Sequence, residues 1–428
     1  MVLDNFYEVV IDLQPIFKEY IQFLKDHDID IELQEGYYWL DNQIIKAYDT
    51  KGNIHKIVRL KIDDSLNITY KLFPQKKFKI EHWDDTVLRN KENLLKKEKE
   101  SLNLIKGKLE QYKNYKTIVL TSDGKDSTIV EYLVKHINPT VFLDFNNSSL
   151  DCADTYKHIK SRNDINVLNP KDGFYQWIKN NIIPTRFSRG CCSIFKEGET
   201  INYFNKDEKY VFFLGMRNEE SNTRSNYEDE WKNKKWGNRD WIGVLPIRKW
   251  SEEEVWLYIL WKKLYINTKY KKGYSRVGCA IACPFYSKST WVLDKYWYPK
   301  MYKRWHEILE NDFKENYKWT RLNCTISEYH TCWNGGLLRN EPTEEVIKEF
   351  AKYKGIDYEI AKKYFNHTCK ICNKNVNKKD EIAMNLKILG RNIDTYYCKK
   401  HLMEFLDIDK EQWDRYIKEF KESGCSLF

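Results

Sequence analysis

One short segment constrains the fold of this chain more than any other. Residues 117–120, Thr-Ile-Val-Leu, have the pattern of a short buried strand, and a polar turn with one glycine follows at 121–127. A helical pattern begins directly after the turn. Strand, glycine-bearing turn and helix in this order open a nucleotide-binding α/β unit. We therefore expect an α/β fold built on a Rossmann-like parallel sheet.

Two later segments predict further strands of the same sheet. Apolar runs at 141–145 and 210–214 each end in polar residues. Ligands of open α/β sheets bind at the carboxyl ends of the strands. Asp144, near the end of the first of these runs, is therefore a candidate site residue.

The turn at 121–127 has the composition of an anion-binding site. At the start of a helix, backbone N–H groups and the helix dipole attract phosphate, and Ser122, Lys125 and Ser127 add hydroxyls and an ammonium. The P-loop pattern Gly-x-x-x-x-Gly-Lys-Ser/Thr is absent. Instead, Ser-Asp-Gly-Lys-Asp-Ser at 122–127 resembles the PP-loop signature Ser-Gly-Gly-Lys-Asp-Ser of the ATP pyrophosphatase and phosphoadenosine phosphosulfate (PAPS) reductase superfamily. Asp123 replaces the first family glycine and adds negative charge near the expected phosphates.

A second motif narrows the resemblance to the PAPS reductase branch. Residues 215–224, Gly-Met-Arg-Asn-Glu-Glu-Ser-Asn-Thr-Arg, resemble its Gly-x-Arg-x-x-Glu-Ser-x-x-Arg element, in which two arginines can bind phosphate or sulfate as bidentate forks. Segments 245–250, 254–259 and 270–279 also resemble that branch in order and spacing. The resemblance covers about residues 115–290 and implies a PP-loop (HUP-type) sheet.

The resemblance also implies roles for individual residues. The nucleotide, ATP or PAPS/APS with Mg²⁺, would be bound by Ser122, Asp123, Gly124, Lys125, Asp126, Ser127, Asp144, Gly215, Arg217, Glu220, Ser221, Arg224 and Arg276. Asp144 would contact the nucleoside or the metal. The catalytic residues would be Lys125, Asp126, Arg217 and Arg224, with the arginines neutralising charge during transfer.

Eleven cysteines in a reducing compartment favour metal ligation or sulfur chemistry over disulfides. Four of them form two close pairs, Cys191 with Cys192 and Cys279 with Cys283, and four thiolates suffice for a [4Fe–4S] cluster or a zinc ion. The pattern resembles that of iron–sulfur adenylyl-sulfate reductases, although their second pair is Cys-x-x-Cys. Cys324 or Cys332 can replace Cys191 or Cys192 as a ligand, and buried cysteines can also serve as small apolar residues.

A separate set of metal ligands lies near the C-terminus. Cys369 and Cys372, then Cys398 and His401, are two close pairs at zinc-module spacing. A closed site of four protein ligands stabilises a small lobe and leaves no position for a catalytic water. The surrounding lysines suit a nucleic-acid or protein partner, or simply solubility. They are Lys370, Lys374, Lys378, Lys379, Lys399 and Lys400.

The remaining sequence suggests five parts. They are an N-terminal accessory α+β module (1–90), a linking amphipathic helix (91–115), the PP-loop domain (116–300), a helical extension (301–365) and a zinc-knuckle lobe with a tail (366–428). No apolar run is long enough for a membrane span, and the N-terminus lacks a signal-peptide pattern, so we expect a cytoplasmic protein. A net charge of +9 suits a nucleic-acid acceptor, an anionic nucleotide or solubility.

By resemblance, the expected activity is that of an ATP-dependent sulfurtransferase, which adenylylates an acceptor, releases pyrophosphate and lets a sulfur nucleophile displace AMP. Its nearest functional analogue is the PAPS reductase-like sulfurtransferase of DNA phosphorothioation systems. One alternative is a sulfonucleotide reductase that uses Cys425, although the family motif Glu-Cys-Gly-x-His is replaced at 422–428 by Glu-Ser-Gly-Cys-Ser-Leu-Phe. Another is a nucleotide sensor without turnover. The acceptor (DNA, tRNA or a small molecule), a sulfur-donor protein and the oligomeric state are left open.

Overall fold

The computed structural model describes residues 13–74, 77–186, 188–220, 222–279, 281–315, 318–334, 341–376, 378–390, 393, 395–422 and 428. The chain divides into two compact units. The first extends to Ile182 and resumes over Arg189–Tyr302, and the second contains Ile183–Ser188 and Lys303–Phe428.

An antiparallel sheet opens the first unit. Its strands are paired in chain order, β1 (Gln14–Pro15), β2 (Tyr38–Asp41), β3 (Ile44–Tyr48), β4 (Ile54–Ile62) and β5 (Ile68–Leu72), with helix α1 (Lys18–Lys25) between the first two. Along β4 the alternating sequence buries Val58 and Leu60 on one face and exposes their neighbours. This part of the chain therefore combines one helix with antiparallel strands.

A long helix, α2 (Trp83–Gln111), links this sheet to the next one. It begins before the expected residue 91, because the His82 side chain accepts a hydrogen bond from the Asp84 N–H and caps the first turn. Its buried residues include Leu94, whereas the neighbouring Leu95 is 47% exposed.

The second sheet of this unit has six strands in the order β10-β11-β9-β6-β7-β8. Its elements are β6 (Lys116–Thr121), α3 (Lys125–Ile137), β7 (Phe142–Asn146), α4 (Ala153–Ser161), β8 (Ile165–Leu168), β9 (Tyr210–Phe213), β10 (Glu230–Trp231) and β11 (Trp241–Val244). All neighbours pair in parallel except the edge strand β10. Val119, Val211 and Phe213 are fully buried under Ile129 and Val130 of α3. The expected Rossmann-like α/β fold is confirmed.

Further helices and helical turns lie between these strands and after β11, and most of the last helix belongs to the second unit. They are α5 (Phe174–Trp177), a 3₁₀ turn (Ile178–Asn180), a π-helix (Cys192–Lys196), α6 (Gly198–Tyr203), a 3₁₀ turn (Asn218–Glu220), α7 (Asn222–Ser225), a 3₁₀ turn (Lys234–Trp236), α8 (Glu252–Lys262), α9 (Thr268–Lys271), α10 (Lys288–Trp297) and α11 (Pro299–Glu315). A capping box of Ser251 and Glu254 starts α8. The capping box fixes the N-terminus of α8, and the first residue of this helix, Glu252, lies in the candidate nucleotide site.

The second unit is helical over the residues that the structure describes. After α11 come α12 (Lys318–Leu322), α13 (Ile326–Cys332), α14 (Glu344–Lys354), α15 (Tyr358–Tyr364), α16 (Lys379–Ile388), α17 (Lys399–Leu406) and α18 (Lys410–Glu422). Cys369, Val376 and Ile382 form a small core of their own. Among the described helices, none combines the length and the apolar character that a membrane span requires.

Candidate nucleotide site and metal centres

The turn between β6 and α3 folds tightly over the first turn of the helix. The Ser122 N–H donates to the Ser127 hydroxyl at 3.2 Å, and that hydroxyl donates to the Gly124 carbonyl at 2.9 Å. Gly124 is the N-cap of α3, and Asp123 has a left-handed φ of +59°. The start of this helix therefore lies at the carboxyl edge of the parallel sheet, where an anion would bind.

Gly215, just after β9, brings the second motif against this turn. A Cβ at this position would lie 2.7 Å from the carbonyl carbon of Asp126 and 2.7 Å from the nitrogen of Ser127. Backbone atoms cannot yield at that distance, so only glycine allows the approach. The two motifs, far apart in sequence, therefore meet at one point.

Behind the contact lies a buried network of charged groups. Arg217, which is 3% exposed, donates to Asp126 at 2.6 Å and to Glu219 at 2.9 Å, and it also pairs with Glu252. The Lys125 ammonium lies 3.1 Å from Asp126 and 3.3 Å from Glu252. The two cations are thus matched by carboxylates in the structure.

These pairings keep the network ionised. Burial alone would lower the pKa of Lys125, but Asp126 and Glu252 raise it above its ordinary value. Burial alone would raise the pKa of Asp126, but Lys125 and Arg217 hold it below its usual range. Lys125 and Asp126 therefore remain charged at neutral pH, and a phosphate entering the turn would compete with Asp126 and Glu252 for the cations.

Two residues of this site are absent from the set that the sequence suggested. Glu252 links Lys125 to Arg217, and its only sequence signal is the capping box that starts α8. Tyr270 accepts a hydrogen bond from the Lys125 N–H at 3.1 Å. It lies within a segment that resembles the family, but the sequence gives no reason to single out its hydroxyl.

The Asp123 carboxylate is bound by two side chains of the protein itself. This carboxylate, 3% exposed, lies 2.7 Å from the His158 Nδ1 and accepts from the Asn267 amide at 2.6 Å. Burial raises the pKa of Asp123, while His158 and Asn267 oppose the rise. Aspartate tolerates the left-handed turn that a glycine would otherwise occupy. The effect of the Asp123 charge on the expected phosphates remains a prediction.

The other predicted nucleotide residues lie at varied depths. Asp144 is buried on β7, where it accepts from the Asn166 amide at 2.7 Å, and burial raises its pKa. Glu220 accepts from the Arg217 N–H at 3.0 Å and pairs with Arg224, which is partly exposed. Arg276 is exposed, and Ser221 lies outside the described residues. The binding roles of all these residues remain predictions.

The four predicted cluster cysteines come together within the first unit. Cys191 caps the π-helix Cys192–Lys196, and the two adjacent thiols are hydrogen-bonded. That bond, burial and then the charges of Cys192, Cys279 and Cys283 raise the pKa of Cys191. The Lys196 ammonium lies 3.9 Å from the position of a Cβ at Gly278, and the nearby Cys279 and Cys283 raise its pKa. The four thiols therefore share one electrostatic environment.

The two metal groups expected at these thiols require different spacings of the sulfur atoms. A zinc ion needs all four donors around one centre, whereas the thiolates of a [4Fe–4S] cluster bind different irons and lie further apart. Cys191, Cys192, Cys279 and Cys283 are not among the described groups whose ligand atoms all lie within 4.8 Å of one another. Which of the two metal groups these thiols would hold remains a prediction. The replacement ligands that we considered, Cys324 and Cys332, belong to the second unit.

The C-terminal set has the spacing of a single ion. The ligand atoms of Cys369, Cys372, Cys398 and His401 all lie within 4.8 Å of one another. The His401 Nδ1 is 3.3 Å from the Cys369 and the Cys398 sulfurs. Burial raises the pKa of Cys369, but backbone N–H groups of Cys398, Cys372 and Ile371 lower it to about 6. Three soft thiolates and one imidazole suit Zn²⁺.

Comparisons with known proteins agree with this architecture. A model of the phosphoadenosine phosphosulfate reductase domain matches residues 116–284. An uncharacterised protein of Methanocaldococcus jannaschii is 29% identical over 259 residues, 59% of this chain and 62% of that protein. The chain thus spans about three fifths of that relative's length. An adenosine 5'-phosphosulfate reductase of Shouchella clausii is 26% identical over 205 residues, 44% of this chain and 79% of the reductase.

Among solved structures, the PAPS reductase of Candida auris in its phosphate complex matches with a TM-score of 0.35 and 13% identity, over 48% of this chain and 97% of that one. The family match covers both the PP-loop turn and the motif at 215–224, which Gly215 brings into contact. Residues 116–284 therefore carry a domain similar to the phosphoadenosine phosphosulfate reductase domain, in agreement with the resemblance of the two motifs to the PAPS reductase-like branch of the PP-loop superfamily.

Proposed function

We propose that this protein is an ATP-dependent sulfurtransferase. In the proposed reaction an acceptor oxygen attacks the α-phosphorus of ATP, so that an oxygen–phosphorus bond forms while the bond to pyrophosphate breaks. A sulfur nucleophile then forms a bond to the activated acceptor atom, and AMP leaves with the original oxygen. Each step is a substitution without net redox change.

The turn after β6 would bind the polyphosphate. Its N–H groups and the start of α3 provide fixed donors, and the Lys125 ammonium can move from Asp126 to a phosphate oxygen over a short distance. Arg217 is held too firmly to move, so we assign it the task of fixing Asp126 and Glu252. Mg²⁺ would arrive with the nucleotide, because it prefers phosphate oxygens and keeps several waters.

The observation that favours transfer is the composition of the chain beyond the reductase domain. The family match ends at residue 284, and the second unit adds a Cys/His site that fits one zinc ion. Lys370, Lys374 and Lys378 beside this site are exposed and form no ion pair with a described residue. A metal-stabilised basic lobe suits an acceptor with phosphate groups, such as DNA or tRNA.

Acceptor-dependent exchange of pyrophosphate into ATP tests the proposal. Anaerobically purified protein would be mixed with ATP, Mg²⁺ and labelled pyrophosphate, with DNA, tRNA or no acceptor. We expect exchange only with one acceptor class, and Lys125→Met should abolish it. The matched control is Lys135→Met, on the outer face of the same helix, where Lys135 pairs with Glu131. Absence of exchange with every acceptor would contradict the adenylylation step.

Sulfonucleotide reduction is the second candidate, and the similarity to adenosine 5'-phosphosulfate reductases favours it. Its expected nucleophile, Cys425, lies outside the described residues. Sulfite release from APS or PAPS in the presence of a thiol reductant, lost in Cys425→Ser, would identify a reductase. Nucleotide binding without exchange or sulfite release would identify a sensor.

A further inference from the structure

A short segment, Asn267 to Tyr270, contacts both candidate sites of the first unit. At one side, the Asn267 amide donates to Asp123 at 2.6 Å, and the Tyr270 hydroxyl accepts from the Lys125 N–H at 3.1 Å. Between them, the Lys269 ammonium donates to the Val277 carbonyl at 2.9 Å, just before Cys279. One turn of helix α9 therefore contacts the PP-loop turn and the cysteine loop.

Lys269 is an unusual residue for this position. It is 0% exposed, and a buried ammonium is costly unless its hydrogens are satisfied. A second hydrogen bond goes to the Tyr286 hydroxyl at 3.1 Å, and the ring of Tyr274 lies 4.6 Å from the ammonium. The Tyr286 hydroxyl in turn donates to the Gly278 carbonyl at 2.7 Å. The charge is thus used to hold the two carbonyls that precede Cys279.

Asp294 holds the other side of the cysteine loop. This carboxylate is also fully buried, accepts from the Tyr274 hydroxyl at 2.9 Å and feels the charge of Lys269. Burial raises the pKa of Asp294, and the Lys269 charge, the Tyr274 hydroxyl and the Ile281 N–H act to lower it. Cys279 and Ile281 have left-handed φ values of +49° and +55°, which non-glycine residues adopt only when their surroundings enforce them. The buried Lys269 and Asp294 side chains stabilise these backbone conformations.

We propose that Lys269 is a positioning residue that couples the PP-loop turn to the cysteine loop, so that occupancy of one site changes the affinity of the other. A metal group that fixes Cys279 also fixes the carbonyls bound to Lys269, and with them the turn that carries Asn267 and Tyr270. Such coupling is reciprocal by thermodynamic linkage. The inference rests on the proposed function, since it requires an adenine nucleotide at the turn and a metal group on the thiols.

Calorimetric titration of ATP into iron–sulfur-reconstituted and iron-free protein tests the coupling. We expect the reconstituted wild type to bind ATP at least about fivefold more tightly than the iron-free form, the lower end of typical coupling. In Lys269→Met the two affinities should become equal, and iron and sulfide per chain should fall. The control is Lys271→Met on the same turn, a partly exposed lysine that should retain the wild-type ratio.

A milder variant covers the case in which Lys269→Met does not fold. Tyr286→Phe keeps the buried ring but removes the hydroxyl that bridges Lys269 and the Gly278 carbonyl, so it should reduce the affinity ratio while the far-UV circular dichroism stays native. Three results would overturn the coupling. They are equal ATP affinities in the two wild-type forms, failure of the wild type to take up iron, and an unchanged affinity ratio in the folded variants. If neither wild-type form bound ATP, the proposed function would fail as well.

Discussion

Removal of the Arg217 guanidinium should destabilise the first unit through the carboxylates that it leaves unpaired. In Arg217→Met, Asp126 and Glu252 keep only Lys125 as a cationic partner, and partly exposed Glu219 turns to solvent. Loss of one partner of a buried ion pair costs about 3–5 kcal/mol. Because Lys125 remains, we expect the lower part of this range, about 3–4 kcal/mol.

Thermal and denaturant unfolding measure this effect. For a domain of this size, each kcal/mol lowers the melting temperature by about 2–4 °C, so a decrease of roughly 6–16 °C is expected. The control is Arg248→Met, which removes a similar pair with Asp229, a residue whose side chain is 45% exposed. An exposed pair of this kind contributes up to about 1 kcal/mol. Comparison of the two variants therefore separates the effect of burying the ion pair on stability from the effect of removing one positive charge.

The pH dependence provides an independent check. Asp126 has a lowered pKa in the folded wild type, so its stabilising contribution is present at neutral pH and is lost as the pH falls through that pKa. In Arg217→Met the pKa of Asp126 should rise, and the stability difference from wild type should shrink between pH 7 and about pH 4. A difference below about 1 kcal/mol at pH 7, or one that does not change with pH, would refute the buried network.

Two further predictions concern packing and metal. Gly215→Ala places a Cβ 2.7 Å from backbone atoms of Asp126 and Ser127, so it should lower the free energy of unfolding by about 1–3 kcal/mol and weaken ATP binding. The control, Gly107→Ala, has open space around the new Cβ and should be neutral or stabilising. Equal effects of the two substitutions in denaturant unfolding would contradict the close approach at Gly215. Mass spectrometry of the purified protein should show one zinc ion per chain at the C-terminal site. Cys372→Ser should lose this zinc, whereas the control Cys332→Ser should retain it. Retention of zinc in both variants would contradict the C-terminal site.

The sequence predicted most of what local pattern controls. The strand before the PP-loop, the helix after it and the strand ending near Asp144 are present because each is a short apolar or periodic run with clear ends. Strands β8 and β11 escaped prediction, since Asn166 interrupts the apolar run of the first and Gly243 that of the second. Such strands form because neighbouring strands pair with them, which a local pattern does not reveal.

The candidate site was only partly predictable for the same reason. Motif resemblance identified Lys125, Asp126 and Arg217. It did not indicate that Glu252 would pair with Lys125 and Arg217. Nor did the sequence indicate the environment of Asp123, because its partners His158 and Asn267 come from distant segments. Long-range pairing of buried polar groups depends on the packed fold, whereas metal-ligand spacing such as Cys369 to His401 is readable directly.

Calorimetric titration of ATP into the wild type and into Lys125→Met is the most direct test of the nucleotide site. We expect saturable binding to the wild type and at least about tenfold weaker binding to the variant, which corresponds to the loss of one charge-assisted contact of about 1.4 kcal/mol or more. Binding of ATP with equal affinity to both proteins, or no binding to the wild type, would contradict the assignment of the turn after β6 as the nucleotide site.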